Sequence, residues 1–249
     1  MPAYVDFSLQ SSQPLSYKMS SLFHGALIEL LSSDQELTNF LHENRPHPYA
    51  QHLENRADNW HWIISFLNES ALSAIWENKL KNIRNFTLTH NNCEITLSGY
   101  QFTDLPYETL TKIFYNESSP KLIDIDFISP TAFRSNGRYV FIPDLKLIYQ
   151  SLMFKYDTAV NNESMFDEEA LNNLCSKTSI VKYRLQSTSF SLEGTAIPAF
   201  IGNIRIKSCG NRTLTSFLQM LLKFGEFSGV GIKTALGMGA VKISIPQAK

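Results

Sequence analysis

The chain predicts an α+β fold: two tandem ferredoxin-like (RRM-like) β-α-β-β-α-β domains with a central cleft. Three observations lead there. Strand-like and helix-like segments follow a similar order in each half of the 249 residues. A polar stretch, Tyr115–Pro120, ends in Ser-Ser-Pro between the halves. The length suffices for two small domains, each with its own core. The division falls at residues 1–117 and 118–249. It rests on element order, because no internal sequence repeat accompanies it.

In the first half, Val5, Phe7 and Leu9 alternate within Tyr4–Leu9 and predict a half-buried strand. Ser16–Leu31 follows as a helix, with Phe23, Leu27, Leu30 and Leu31 on one face. Asp34–His42 reads as a second short helical piece. Arg45-Pro-His-Pro48 then breaks helicity twice, since each proline also disfavours α conformation in the residue before it. Asn59–Leu67 is rich in aromatic and β-branched residues and predicts a strand. Ser70–Lys81 has helical spacing, and Cys93–Phe102 alternates as a strand.

The second half repeats the theme. Leu122–Ser129 and Arg138–Ile142 read as strands, the latter after a Ser135-Asn-Gly137 hairpin flanked by Arg134 and Arg138. Leu145–Tyr156 and Asp167–Ser176 are helices. Val181–Leu192 and Ala196–Lys207 pair across Glu193-Gly194. Thr213–Phe224 is an amphipathic helix carrying Leu214, Phe217, Leu218, Leu221 and Leu222 on one face. Ala240–Ile245 closes as a strand.

Composition excludes several classes. No apolar run reaches membrane-span length, and the N-terminus shows no secretion signal. Cys93, Cys175 and Cys209 are far apart and lack metal-ligand spacing, so free thiols in a reducing cytoplasm are expected. Net charge is −1, which argues against non-specific coating of nucleic acid. The charge is unevenly spread. There is no lysine between Lys18 and Lys79, while the segment from Lys177 onward is rich in Lys and Arg and holds only Glu193 and Glu226 as acids. Phosphate contacts, if the chain makes them, are expected mostly from this half.

Five of the eleven glycines lie between Gly225 and Gly239. Such a cluster signals positive φ or close backbone approach, and successive N–H groups in such a loop suit phosphate. The segment is neither a dinucleotide fingerprint nor a P-loop, since GxGxxG is absent and Lys233 follows no GxxxxG pair. Its order of helix, loop and strand suits gripping a polyanion backbone. Four of the six histidines, His42, His47, His52 and His61, cluster mainly between the first helix and the strand Asn59–Leu67. Their spacing matches no zinc motif, so proton transfer fits them better than metal binding. Taken singly, His47, His52 and His61 also fit exposed positions without a role. His24, in the first helix, reads as structural, although it could face the cleft.

The glycine segment FGEFSGVGIKTALGMGAVKI resembles the C-terminal signature of the CRISPR repeat-processing endoribonucleases, with Gly229, Gly231, Gly237 and Gly239 filling GxGxxxxxGxG. The resemblance extends to Phe23-His-Gly-Ala-Leu27, Leu41-His-Glu43, Ile128-Ser-Pro-Thr131 with Phe133, and Pro143-Asp144. It is nearest to the version serving type III (Csm) systems. It implies a cytoplasmic, metal-independent enzyme without cofactor that cuts CRISPR precursor RNA within its repeats. Cleavage by ribose 2′-hydroxyl attack leaves a 5′-hydroxyl and a 2′,3′-cyclic phosphate. His42 is implied as general acid or base. A tyrosine that some members carry on the first helix is Ile28 here, and no lysine follows His42 closely. Arg45 and His47 are therefore candidates for stabilising the transition state.

Lys233 and Ser228, with the glycines, are expected at RNA, with Arg134 and Arg138 as further candidates. Phe133, Tyr139 and Phe227 are candidate stacking residues. Repeat RNA is the expected partner, with transient association to a type III effector complex and neither DNA nor membrane. Two other classes fit the same residues: a non-catalytic repeat-RNA-binding subunit of a CRISPR ribonucleoprotein, and a ferredoxin-like protein whose loop holds a small phosphate ligand.

Overall fold

The computed structural model describes residues 1–32, 46–115, 120–160 and 166–246. The expected helix at Asp34–His42 and the boundary between residues 117 and 118 lie outside them. The first unit runs β1 (Ala3–Ser11), α1 (Ser20–Leu31), β2 (Tyr49–Arg56), β3 (Asn59–Phe66), a helical turn Glu69–Ala71 continuing through Leu72–Glu77, β4 (Asn85–Leu88), β5 (Cys93–Asp104) and α2 (Tyr107–Tyr115). The second runs β6 (Leu122–Thr131), the small hairpin β7 (Phe133–Ser135) and β8 (Arg138–Val140), α3 (Leu145–Ala159), α4 (Glu168–Lys177), β9 (Thr178–Leu192), β10 (Thr195–Ser208), α5 (Arg212–Ser228) and β11 (Val241–Ser244).

Both sheets are antiparallel. Their orders are β2-β3-β1-β5-β4 and β11-β6-β10-β9. With β4 set aside, each has the ferredoxin-like arrangement, its first strand central between the third and the last. Sequence reading did not find the short β4 or, within the ferredoxin-like set, β2. Its alternation is masked because Gln51 faces inward, donating to Ser20 O at 3.0 Å and accepting from Trp62 Nε1 at 2.9 Å.

In the first unit, Phe23, Leu27 and Leu31 of α1 pack on Val5 and Phe7 of β1 and on Trp62 and Ile64 of β3. In the second, Ile148 and Leu152 of α3 and Leu218 and Leu221 of α5 cover Ile125, Phe127, Ile204 and Ile206. Helix α5 is apolar on a second side too. Met220, Phe224 and Phe227 pack with Leu67, Leu105 and Leu110 of the first unit, and the Phe227 ring lies 5.3 Å from that of Tyr4. One helix thus serves two cores and fixes one unit on the other. Where the sheets meet, Lys242 pairs with Glu54, which also holds Arg56.

Of the three thiols, Cys93 is buried, Cys175 is partly buried and Cys209 is exposed; all three are free. Among the described residues no helix is long and apolar enough to cross a membrane.

Candidate functional site

The site is built by the segment that follows α5. Gly229 leaves the helix at φ 63°, and positive φ recurs at Gly231, Lys233, Gly237 and Gly239. Close approach explains two glycines directly. A Cβ on Gly231 would stand 2.3 Å from the Ala132 carbonyl oxygen, and one on Gly239 would stand 2.0 Å from that of Val230. The loop is laced to itself and to β6. Val230 N–H donates to Gly239 O at 2.8 Å, Ile232 N–H to Ala132 O at 3.0 Å, Gly239 N–H to Pro130 O at 3.0 Å, and Gly231 N–H to Ser151 Oγ at 2.8 Å.

This corrects the expectation drawn from the glycines. Their backbones are close to the protein's own backbone, and most of their N–H groups are already taken. The amides of Lys233, Thr234 and Ala235 find no acceptor among the described residues, and they stand where the loop turns toward the first unit. Gly229, Gly237 and Gly239 are buried. Ser228, expected at RNA, is fully buried, and its hydroxyl donates to Gly229 O at 2.9 Å.

The loop docks on α1 and β2. Ala235 is 2% exposed within the first unit's core, and Gly237 lies against Ser20. Between loop, α1 and the start of β2 lies a cavity of about 470 Å³, lined by His24, His47, Tyr49, Lys155 and Lys233 among others. No Asp or Glu is among its described lining residues. Tyr49 links the two histidines: its hydroxyl is 3.4 Å from His24 Nδ1, and its ring is 5.6 Å from that of His47. Burial pushes the Tyr49 phenol well above its ordinary pKa, so it stays neutral. The surroundings are thus cationic or neutral, which favours an anion.

His47 and Lys233 therefore share one cavity. His42 and Arg45 lie outside the described residues. His52 and His61 belong elsewhere: β2 and β3 point them to the sheet face opposite α1. There His61 Nδ1 is 2.8 Å from Asp6, and burial pulls the His52 imidazole down to about 4. The described histidines of that cluster are thus divided, His47 at the cavity and His52 and His61 on the far face of the sheet. Arg134 is exposed on the β7–β8 hairpin, as are Arg138 and Tyr139, whereas Phe133 and Phe227 are buried and cannot stack on a base.

Sequence reading missed Lys155 and read His24 as structural, while allowing that it could face the cleft. His24 sits one residue from the apolar stripe Phe23, Leu27, Leu31, and its i+4 neighbour Ile28 lines the same cavity. Lys155 falls on the buried stripe Ile148, Leu152, Ala159 of α3, at spacings of four, three and four. A lysine on such a stripe is the signal that could have exposed it.

The family model for the CRISPR-associated endoribonuclease Cas6 matches residues 125–241. A Cas6 of Streptococcus thermophilus is 35% identical over 89% of both chains. One of Mycobacterium tuberculosis is 31% identical over 88% of this chain and 70% of its own. A Cas6 product complex superposes over 98% of this chain and all of its own with a TM-score of 0.77 at 20% identity. A Cas6 substrate-mimic complex does so over 98% and 99% with a TM-score of 0.73, also at 20% identity. These structures share the fold of two ferredoxin-like units. On the extent and level of the sequence identity, the chain belongs to the Cas6 family of CRISPR-associated endoribonucleases.

Proposed function

We propose that this enzyme cuts CRISPR precursor RNA within its repeats by metal-independent transfer of the phosphodiester to the neighbouring 2′-hydroxyl. A base removes the 2′-hydroxyl proton, the 2′-oxygen attacks phosphorus, and the 5′-oxygen leaves with a proton from an acid. The products are a 2′,3′-cyclic phosphate and a 5′-hydroxyl. His42 serves as one proton-transfer group, and such transfer is worth about 10²–10⁴-fold. His24 and His47 are candidates for the other, and Arg45 and Lys233 for charge stabilisation.

The observation that carries this reading is the cavity holding His24, His47 and Lys233, with no acid among its described lining residues. A nucleic-acid phosphate fits such a lining, and a cationic substrate does not. Solved structures of Cas6 proteins as product and substrate-mimic complexes support it. On this reading the glycines shape the loop. Lys233 and the amides beside it meet phosphate, and Arg134 meets RNA from the exposed hairpin. Association with a type III effector complex in the cytoplasm remains part of the proposal.

The test uses labelled repeat RNA with wild type and His42→Ala, each with and without EDTA. Cleavage is expected to survive EDTA and to vanish in His42→Ala. Loss with EDTA, or full activity in the variant, would sink the mechanism.

A further inference from the structure

Lys155 is buried in the middle of α3, 5% exposed. Its Nζ donates to the carbonyl oxygens of Ser228 at 3.3 Å and Gly229 at 3.1 Å. No carboxylate of the described residues pairs with it. An ammonium has three donors, so these two carbonyls leave one over. The carbonyls at a helix end carry only about half a negative charge together. Burying a cation without a full counter-ion is costly, and that burial brings the amine down from 10.5 to about 7. A methionine would fill the same place without that cost. The lysine lines the cavity that holds His24, His47 and Lys233, with no acid among its described lining residues. The carboxylate of α5, Glu226, lines a different cavity and is held by Lys223 and by the Ile243 N–H.

We infer that Lys155 is a phosphate-binding residue of the cavity, anchored to the end of α5 by two carbonyls and completed by a backbone phosphate of the bound RNA. The inference rests on the repeat-cleavage reading above and deepens it. The cation comes from the second unit, whereas the histidines come from the first. RNA in the cavity therefore touches both halves and draws α5, the loop and α1 together. The counter-ion arrives with the substrate, since no carboxylate of the described residues supplies it in the empty protein.

The test is binding of the repeat RNA from the host's own CRISPR array, measured by anisotropy over a range of salt. Comparison is made in the His42→Ala background, which prevents turnover. Lys155→Met is expected to weaken binding about tenfold, in line with loss of one charged hydrogen bond. The slope of log affinity against log salt should become shallower by about 0.7, as for one lost phosphate contact on a single strand. Its melting temperature should equal or exceed that of the parent, and Lys155→Arg should recover the slope.

An unchanged slope with a lowered melting temperature would make Lys155 a structural clamp and overturn the inference. Failure of Lys155→Met to fold while Lys155→Arg folds would overturn it equally. If the parent binds no repeat RNA at all, the reading of the whole site fails. If wild type cuts repeat RNA and the His42→Ala parent binds it but the slope does not move, only this inference fails.

Discussion

Gly231→Ala separates two explanations of the glycine loop. The left-handed backbone at Gly231, φ 76°, costs an alanine about 1–2 kcal/mol. Its Cβ would stand 2.3 Å from the Ala132 carbonyl oxygen, so the two backbones must part. That separation sacrifices the 3.0 Å bond from Ile232 N–H to the same oxygen, for about 1 kcal/mol more. The sum is about 2–3 kcal/mol. For a chain of this size that is a fall of roughly 4–12 °C in melting temperature.

Two controls calibrate it. Gly137 has φ 75° but open space around its Cβ position, so Gly137→Ala should cost only the backbone part, about 1–2 kcal/mol. Gly25 lies in α1 with open space and no positive φ, so Gly25→Ala should gain about 0.5–1 kcal/mol. Thermal melts and repeat-RNA binding on all three decide the matter. If Gly231→Ala melts with Gly137→Ala, close approach is not why glycine stands there. If it melts normally but loses RNA, the loop is a phosphate grip after all.

Other outcomes follow from the same geometry. Lys233 holds φ 56° without being glycine, so Lys233→Gly should raise stability by about 1 kcal/mol while RNA affinity falls and its salt slope shallows. His24→Gln and His47→Gln should leave folding intact, and at least one should slow single-turnover cleavage by about 10²-fold or more; wild-type rates in both would remove the cavity from the mechanism. Burial holds the Lys155 amine at about 7 against 10.5 unfolded. The unfolded chain therefore binds more protons between those values, and this residue's contribution to stability rises as pH climbs from 7 to 10.5. Wild-type stability should gain on Lys155→Met over that window in pH-dependent melts, and parallel curves would show an unperturbed lysine.

The fold was legible because its signals are local. Alternation in Val5, Phe7 and Leu9 and the three-four spacing in α5 each declare their element without reference to the rest. Strand β2 was hidden because its inward Gln51 serves a buried hydrogen-bond pair with Trp62. A buried glutamine reads as surface when burial is judged from polarity. The site was legible in parts. Lys233 and His47 were found from loop and histidine patterns, but their juxtaposition was not, since only tertiary docking of the loop on β2 creates it. His24 was read first as structural because it lies on a helix whose main stripe is apolar. The glycines were read toward a ligand because a sequence shows that backbone must approach something, and not what. Ser228 could not be told from an exposed serine for the same reason.

Ala235 has a consequence for the order in which the molecule is made. It comes from the C-terminal loop yet fills the core around α1 and β2. A nascent chain leaving the ribosome can pair β1, β2 and β3 long before that residue exists. Until then the first core has an open place, and the cavity has only its α1 and β2 walls. The cavity is therefore assembled last, by a segment some two hundred residues downstream of α1. A truncated translation product would carry histidines but no site.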